Sequence, residues 1–192
     1  MTQLDDELVQ RIDQLGATAW SGTTYRYTTA RREPLSGAGA RLNGGRWNPP
    51  DIFATVYLGA PLNATVGELE RLADSQGSTP ERMLRVPYVL HTVEVTDLPI
   101  LDLTDPADLD RLGLTTADIA DEDWTACQSI GQAAWFLGLG GVLAPSASGA
   151  GLVLAAFETR AVISLAVSKS TPFTPEVLAV IRATGQLPGV AP

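Results

Sequence analysis

WTACQSIGQAAWFLGLGGVLAPSASGAGLVLAAF, residues 124–157, contains no Asp, Glu, Lys or Arg, and how it is read decides the fold. A membrane span would need about 20 consecutive apolar residues. Here Gln128, Gln132, the glycines at 138, 140 and 141, and Pro145-Ser146-Ala147-Ser148-Gly149 interrupt the run. A buried helix over Trp124–Leu137 followed by two buried strands, near 142–145 and 151–157, accounts for it instead. One stretch then supplies both core helix and core strands, so the chain is read as α+β.

Working outward, Leu4, Leu8, Ile12 and Leu15 recur at helical spacing and stop at Gly16, which predicts a helix over 4–15. TTYRYT, residues 23–28, is β-branched and aromatic and reads as a strand. Residues 30–51 carry glycine, proline and arginine without periodicity and read as a long ordered loop in which Trp47 packs. Ile52–Leu58 is the next strand, and Pro61 opens a helix with the apolar stripe Leu62, Val66, Leu69, Ala73. Thr79-Pro80-Glu81 starts a short helix by its cap and first-turn proline. Strands near 86–95 and 98–103 and short acidic helices over 105–121 follow. Beyond the charge-free stretch come a strand near 162–167 and a helix from Thr174-Pro175-Glu176 to Gly185; the tail LPGVAP reads as loose. No linker or repeat is visible. The expectation is one domain, 1–192, with its core over about 20–168, an N-terminal helix at 4–15 and a C-terminal helix at about 174–184.

Composition removes whole classes of function. The 192 residues suit one domain, and 45% hydrophobic with 18% charged residues argues against disorder. The lone cysteine, Cys127, excludes an intrachain disulfide and points to a reducing compartment. With His91 as the single histidine, no Cys/His zinc site can assemble, and no metal is expected. The acidic, periodic N-terminus MTQLDDELVQRIDQLG is unlike a signal peptide, so a cytoplasmic protein without membrane contact is expected. Thirteen basic against 22 acidic residues, a net charge of −9, disfavour nucleic acid as a partner.

The charge is unevenly placed. Residues 22–50 hold five arginines (26, 31, 32, 41 and 46) against Glu33, while residues 94–123 hold ten acids against Arg111. An arginine cluster in an acidic chain suits a small anion, which the planar guanidinium fork pairs bidentately. Arg31 and Arg32 read as surface charges; Arg26, between strand tyrosines, and Arg46 read as functional. In GGRWNPP (44–50) paired glycines permit unusual backbone and paired prolines stiffen the exit, which would preorganise Arg46; a structural turn with Arg46 stacked on an aromatic is the equal alternative.

Glu68 lies beside the apolar stripe of its helix, where an acid has either a salt-bridge partner or a task, whereas Glu70 points to solvent. Tyr27 and Tyr57, on the early strands, either pack or border a flat ligand ring. Ser146 at a strand end, and Thr125 and Gln128 on the charge-free helix, are weaker candidates. His91, in VPYVLHTVEV, reads as a satisfied strand residue and Cys127 as core. SGAG at 148–151 lacks the third glycine and following helix of a dinucleotide fingerprint.

Together, YRYT with Arg26, GGRWNPP with Arg46, VYLG with Tyr57, Glu68 in the following helix, CQSIGQAAWF, and VLAPSA with Ser146 resemble the RES-domain family, the toxin half of bacterial toxin–antitoxin pairs. The resemblance runs from about residue 20 to 160. It implies a fold similar to ADP-ribosyltransferases, with a mixed or antiparallel sheet flanked by helices, and an activity that consumes NAD. Mycobacterial-type members are NAD phosphorylases, which cleave the nicotinamide–ribose bond with inorganic phosphate to give nicotinamide and ADP-ribose-1″-phosphate. Protein ADP-ribosyltransfer and NAD hydrolysis are alternatives at the same site, and a non-catalytic nucleotide-binding module is the alternative of another class.

The resemblance assigns catalysis to Glu68, Arg46 and Tyr57 and substrate binding to Arg26, Tyr27, Thr125, Gln128 and Ser146, with the family serine at Ser146 or its hydroxyl at Thr125. NAD and phosphate would be substrates, with no cofactor. The partner it implies is an antitoxin with an Xre-type DNA-binding part whose C-terminal segment blocks the site. The basic rim over 22–50 would suit an acidic or carboxylate-ended peptide there.

Overall fold

In the computed structural model, which describes residues 4–189, helix α1 (Asp6–Leu15) begins at Asp5, whose carboxylate accepts from the Glu7 and Leu8 N–H groups. It ends at Gly16. Then come β1 (Thr18–Thr29), α2 (Ala38–Asn43), β2 (Thr55–Ala60), α3 (Leu62–Ser75), α4 (Pro80–Met83) and β3 (Tyr88–Asp102). The second half holds α5 (Pro106–Arg111), α6 (Thr116–Ala120), α7 (Thr125–Phe136), β4 (Gly141–Pro145), β5 (Leu152–Phe157), α8 (Glu158–Ala161), β6 (Leu165–Phe173) and α9 (Pro175–Thr184).

The sheet runs β1-β2-β5-β4-β3-β6, and a further β1–β3 pairing closes the first five strands into a ring. β3 pairs parallel with β4; the other pairings are antiparallel. The long strand β3 makes closure possible. β1 lines one edge of it, while the other edge pairs with β6 over Tyr88–Val95 and with β4 over Ile100–Asp102. β1 and β2 meet at the single register Tyr25↔Gly59, so the barrel is split there. Helices flank this mixed sheet, giving the α+β architecture expected.

Three clusters of buried side chains divide the core. Val56, Leu58, Val93, Ile100, Leu143 and Leu154 fill the space between the strands. Their alternates face α1 and α7, where Trp47, Ile130, Val142, Ala155 and Phe157 are buried. Leu62, Leu69, Leu90, Phe173, Leu178 and Ile181 join α3 and α9 to the remaining sheet face. β5 is buried on both faces, which explains why LVLAAF reads as a continuous apolar run without alternation.

The elements depart from the sequence reading in six places. β1 extends well beyond 23–28, because its pairing with β3 continues to Thr18. The loop over 30–51 contains α2, and the strand expected at 52–58 starts at Thr55 and ends at Ala60. The two strands expected at 86–95 and 98–103 are one; Asp97, at φ +47°, and the register shift between Trp20 and Gly22 mark the irregularity that reads as a break. The strand expected at 162–167 begins at Leu165 and runs to Phe173, after α8 has turned the chain. In the tail, Leu187 is buried against α9, while residues 190–192, like residues 1–3, lie outside the described residues.

Candidate active site

The GGRWNPP turn is pinned from three directions. Gly45 and Asn48 exchange backbone hydrogen bonds, and the Asn48 side chain, fully buried, donates to the Ala40 carbonyl at 2.8 Å. From β2, the Tyr57 hydroxyl accepts from the Trp47 N–H (2.8 Å) and donates to Asn48 Oδ1 (2.8 Å). From α7, Gln128 Nε2 donates to the Gly45 carbonyl at 3.0 Å. Glycine is required at the contacts: a Cβ on Gly45 would stand 2.4 Å from the Tyr57 hydroxyl, and one on Gly131 would stand 1.9 Å from the Trp47 carbonyl. Tyr57 and Gln128 therefore hold the loop.

The pinned loop delivers Arg46 inward. Its Nη1 donates to the Asp121 carbonyl at 2.8 Å, and its guanidinium carbon sits 5.4 Å from the centre of the Trp124 ring, the aromatic stacking that the structural reading expects. Only 9% of Arg46 is exposed. Burial, and then the neighbouring Arg71 charge, lower its pKa, while Cys127, Glu68 and Tyr57 act in the opposite sense.

Glu68 is set in place by α3. Thr65, one turn earlier, donates to the Tyr25 carbonyl at 3.1 Å and ties the helix to the β1–β2 junction. Ser146, buried at the end of β4, donates through its hydroxyl to Glu68 Oε1 at 2.6 Å. Ser146 Oγ also contacts Ser148 Oγ at 2.7 Å and accepts from the Ser148 N–H at 3.1 Å. A side chain on Gly67 would strike Ser148, so the glycine lets the serine loop lie on the helix. No ion pair among the described residues includes Glu68, so the common fate of an acid at the edge of an apolar stripe does not apply. Glu70 faces outward and pairs with Arg182 at 2.7 Å.

Tyr27 stands against Tyr88 and Phe173, with ring centres 5.7 and 6.0 Å away. Burial pushes its hydroxyl pKa up, and Tyr88 and the Glu68 charge add to this. Arg26 projects from the opposite face of β1. Its Nη2 donates to the Ser36 carbonyl at 2.9 Å, its charged neighbours are Arg32 and Glu158, and burial pushes its pKa down to about 10. Glu68, Ser146, Arg46 and Tyr27 thus form one neighbourhood, and Arg26 occupies another.

Thr125 is exposed at the start of α7, where its N–H donates to Asp123. Arg31 and Arg32 are exposed, as read. His91 is buried and satisfied between Thr28 Oγ1 (3.0 Å) and Ser170 Oγ (2.8 Å). Cys127 is core, its thiol pushed up to about 11 by burial.

Three contributors escaped sequence reasoning. Ser148 completes the Ser146–Glu68 chain, Trp124 carries Arg46, and Arg71 donates to the Ala120 carbonyl at 3.2 Å. A signal for Arg71 existed: it follows Glu68 by three residues, hence on one face of α3. Beside them opens a cavity of about 580 Å³ whose lining includes Gly67, Glu70, Arg71, Asp74, Ser148 and Arg182. Among the described residues no group of His, Cys, Asp and Glu could hold a metal ion, and no helix is long and apolar enough to cross a membrane.

A carboxylate held by a serine can stabilise developing positive charge, and a buried guanidinium beside it can hold an anion. Fold and site define a split α+β barrel that carries a serine-bound carboxylate and a buried arginine. The RES domain sequence pattern matches residues 18–176, and the chain belongs to the RES domain family. It is 49% identical over 182 residues, 94% of this chain and 98% of the relative, to the NAD(+) phosphorylase MbcT of Mycobacterium tuberculosis, and equally to that of Mycobacterium bovis. Its structure is similar, at TM-score 0.89 and 49% identity, to a chain in the crystal structure of the M. tuberculosis MbcT–MbcA toxin–antitoxin complex, covering 95% of this chain and 100% of that one.

Proposed function

We propose that this chain is the NAD-depleting toxin of a toxin–antitoxin pair, an NAD phosphorylase that splits the nicotinamide–ribose bond with inorganic phosphate. The observation that carries the reading is the Glu68 carboxylate, bound by Ser146 at 2.6 Å and unpaired with any cation among the described residues, in a chain 49% identical to an NAD(+) phosphorylase.

Cleavage breaks the bond between ribose C1″ and the pyridinium nitrogen. The bonding pair goes to the ring, so nicotinamide departs neutral and needs no strong acid. Positive charge develops on the ribose, and Glu68 stabilises it or holds the ribose hydroxyls. Ser146 orients that carboxylate, and a phosphate oxygen then bonds to C1″, giving ADP-ribose-1″-phosphate. Arg46 faces the phosphoryl oxygens. Tyr27 borders the nicotinamide and ribose. NAD and phosphate are substrates, with no cofactor required.

The partner of this reading is a cognate antitoxin of Xre type that covers the site, and the compartment is the cytoplasm. The relative solved in a toxin–antitoxin complex supports an antitoxin partner. The test is NMR or mass spectrometry of NAD incubated with purified protein, with and without phosphate. Nicotinamide and ADP-ribose-1″-phosphate appearing only with phosphate are expected. Equal release of plain ADP-ribose in both would make water the acceptor, and intact NAD in both would overturn the reading.

A further inference from the structure

Two arginines from distant parts of the chain converge on consecutive carbonyls. Arg46, in the GGRWNPP turn, donates to the Asp121 oxygen at 2.8 Å, and Arg71, on α3, donates to the Ala120 oxygen at 3.2 Å. Each of these contacts occupies one of the five N–H donors of a guanidinium. Among the described residues neither arginine forms an ion pair, whereas Arg111 and Arg182 do. Asp74, a turn beyond Arg71 on the same helix, forms none with it, and Glu70 is taken by Arg182.

Like charges held close raise each other's free energy, and Arg71 is the charged neighbour that most depresses the Arg46 pKa. In a chain with 22 acidic residues, a carboxylate could readily have quenched the pair. An anion would relieve the repulsion. Arg71 also lines the 580 Å³ cavity together with Ser148, and Ser148 leads through Ser146 to Glu68. Glu70 and Asp74 line the same cavity, but Glu70 pairs with Arg182 and Asp74 forms no ion pair with Arg71.

We propose that Arg71 is the second half of a phosphoryl clamp, closing on the same phosphoryl oxygens as Arg46 while the Ala120–Asp121 carbonyls hold both forks in place. Which molecule brings the phosphoryl group, inorganic phosphate or the NAD pyrophosphate, rests on the activity proposed above; the clamp itself does not. Arg71 is half-buried, and its contact outside α3 is a carbonyl, so removing it leaves the fold intact.

The experiment is titration of phosphate and of pyrophosphate into the purified protein, followed by 31P NMR or calorimetry, for wild type, Arg71→Ala and Arg71→Lys. Arg71→Ala is expected to weaken one or both anions by ~10- to 100-fold, the size of a lost charge-assisted pair, with Arg71→Lys between it and wild type. Its melting temperature should be unchanged. In the enzyme assay, KM for phosphate rising alone assigns the acceptor, and KM for NAD rising alone assigns the pyrophosphate. Loss of anion binding in Arg71→Ala together with intact NAD in every wild-type reaction keeps the clamp and removes the activity. Unchanged anion affinity and unchanged KM values in both variants overturn the clamp, whatever the wild type catalyses.

Discussion

The Ser146 hydroxyl and Glu68 Oε1 are 2.6 Å apart, joining the end of β4 to the middle of α3 in a charge-assisted hydrogen bond. The serine is buried and its other neighbour is a second serine, so the bond fixes where the carboxylate points. Replacing Glu68 by glutamine keeps the shape and removes the charge. Nicotinamide release should fall by ~10²- to 10³-fold, the range for loss of an electrostatic stabiliser, with NAD binding largely kept. Ser146→Ala should cost about 10-fold in kcat with little change in KM, as expected when a single positioning hydrogen bond to a charge is lost. Paired kinetics and calorimetry on the two variants check both statements.

Tyr57 and Gly131 hold the arginine loop by different means, and their variants should differ accordingly. Tyr57→Phe strips a partner from the Trp47 N–H and from Asn48 Oδ1, and should lower stability by about 1–3 kcal/mol in urea unfolding. Gly131→Ala sets a Cβ 1.9 Å from the Trp47 carbonyl, a backbone clash that forces the loop from α7, at a cost of about 1–3 kcal/mol or more. In both variants Arg46 shifts with its loop, so KM should rise along with the fall in midpoint.

His91 is buried between two hydroxyls near Arg26, and burial followed by the Arg26 charge lowers its pKa. Its neutral form is therefore favoured in the folded state. Below an unfolded value of about 6.5 the unfolded chain binds the proton more readily, so this contribution is complete above that pH and is lost as the pH falls from there through the lower folded value. Melting temperatures from pH 8 to 5 should drop more steeply for the wild type than for His91→Gln. Parallel curves would show that His91 has no part in the acid response.

Cys127, 1% exposed and with its thiol pushed up to about 11, should resist alkylation. Iodoacetamide at neutral pH should leave the native protein unmodified and label it fully in denaturant, as mass spectrometry would record. Rapid native labelling would require an opening of α7 that its buried position does not suggest.

Local chemistry made much of this protein legible before any tertiary information. The charge-free stretch announces α7, β4 and β5, because the strands are buried on both faces and the helix packs one face into the core, and the Thr-Pro-Glu openings announce α4 and α9, because their caps are local. The long loop, Arg46 and Glu68 stand out by residue type alone. Pairing was not legible in the same way. Residues 86–103 read as two strands because Asp97 interrupts the pattern, yet β1 bridges the interruption along its whole length.

The site divides along the same line. Residue types in the chain determined that a carboxylate, a serine and a set of arginines were the chemical means at hand, since side-chain chemistry is a local property. Only tertiary structure decided which of them meet. Alternation along β1 sends Tyr27 toward Glu68 and Arg26 to the far face, while α3 adds Arg71, and α6 and α7 bring the Ala120–Asp121 carbonyls between two arginines 25 residues apart in sequence. Such meetings depend on long-range packing, in which each partner is chosen by the closure of the barrel and not by its neighbours in the chain.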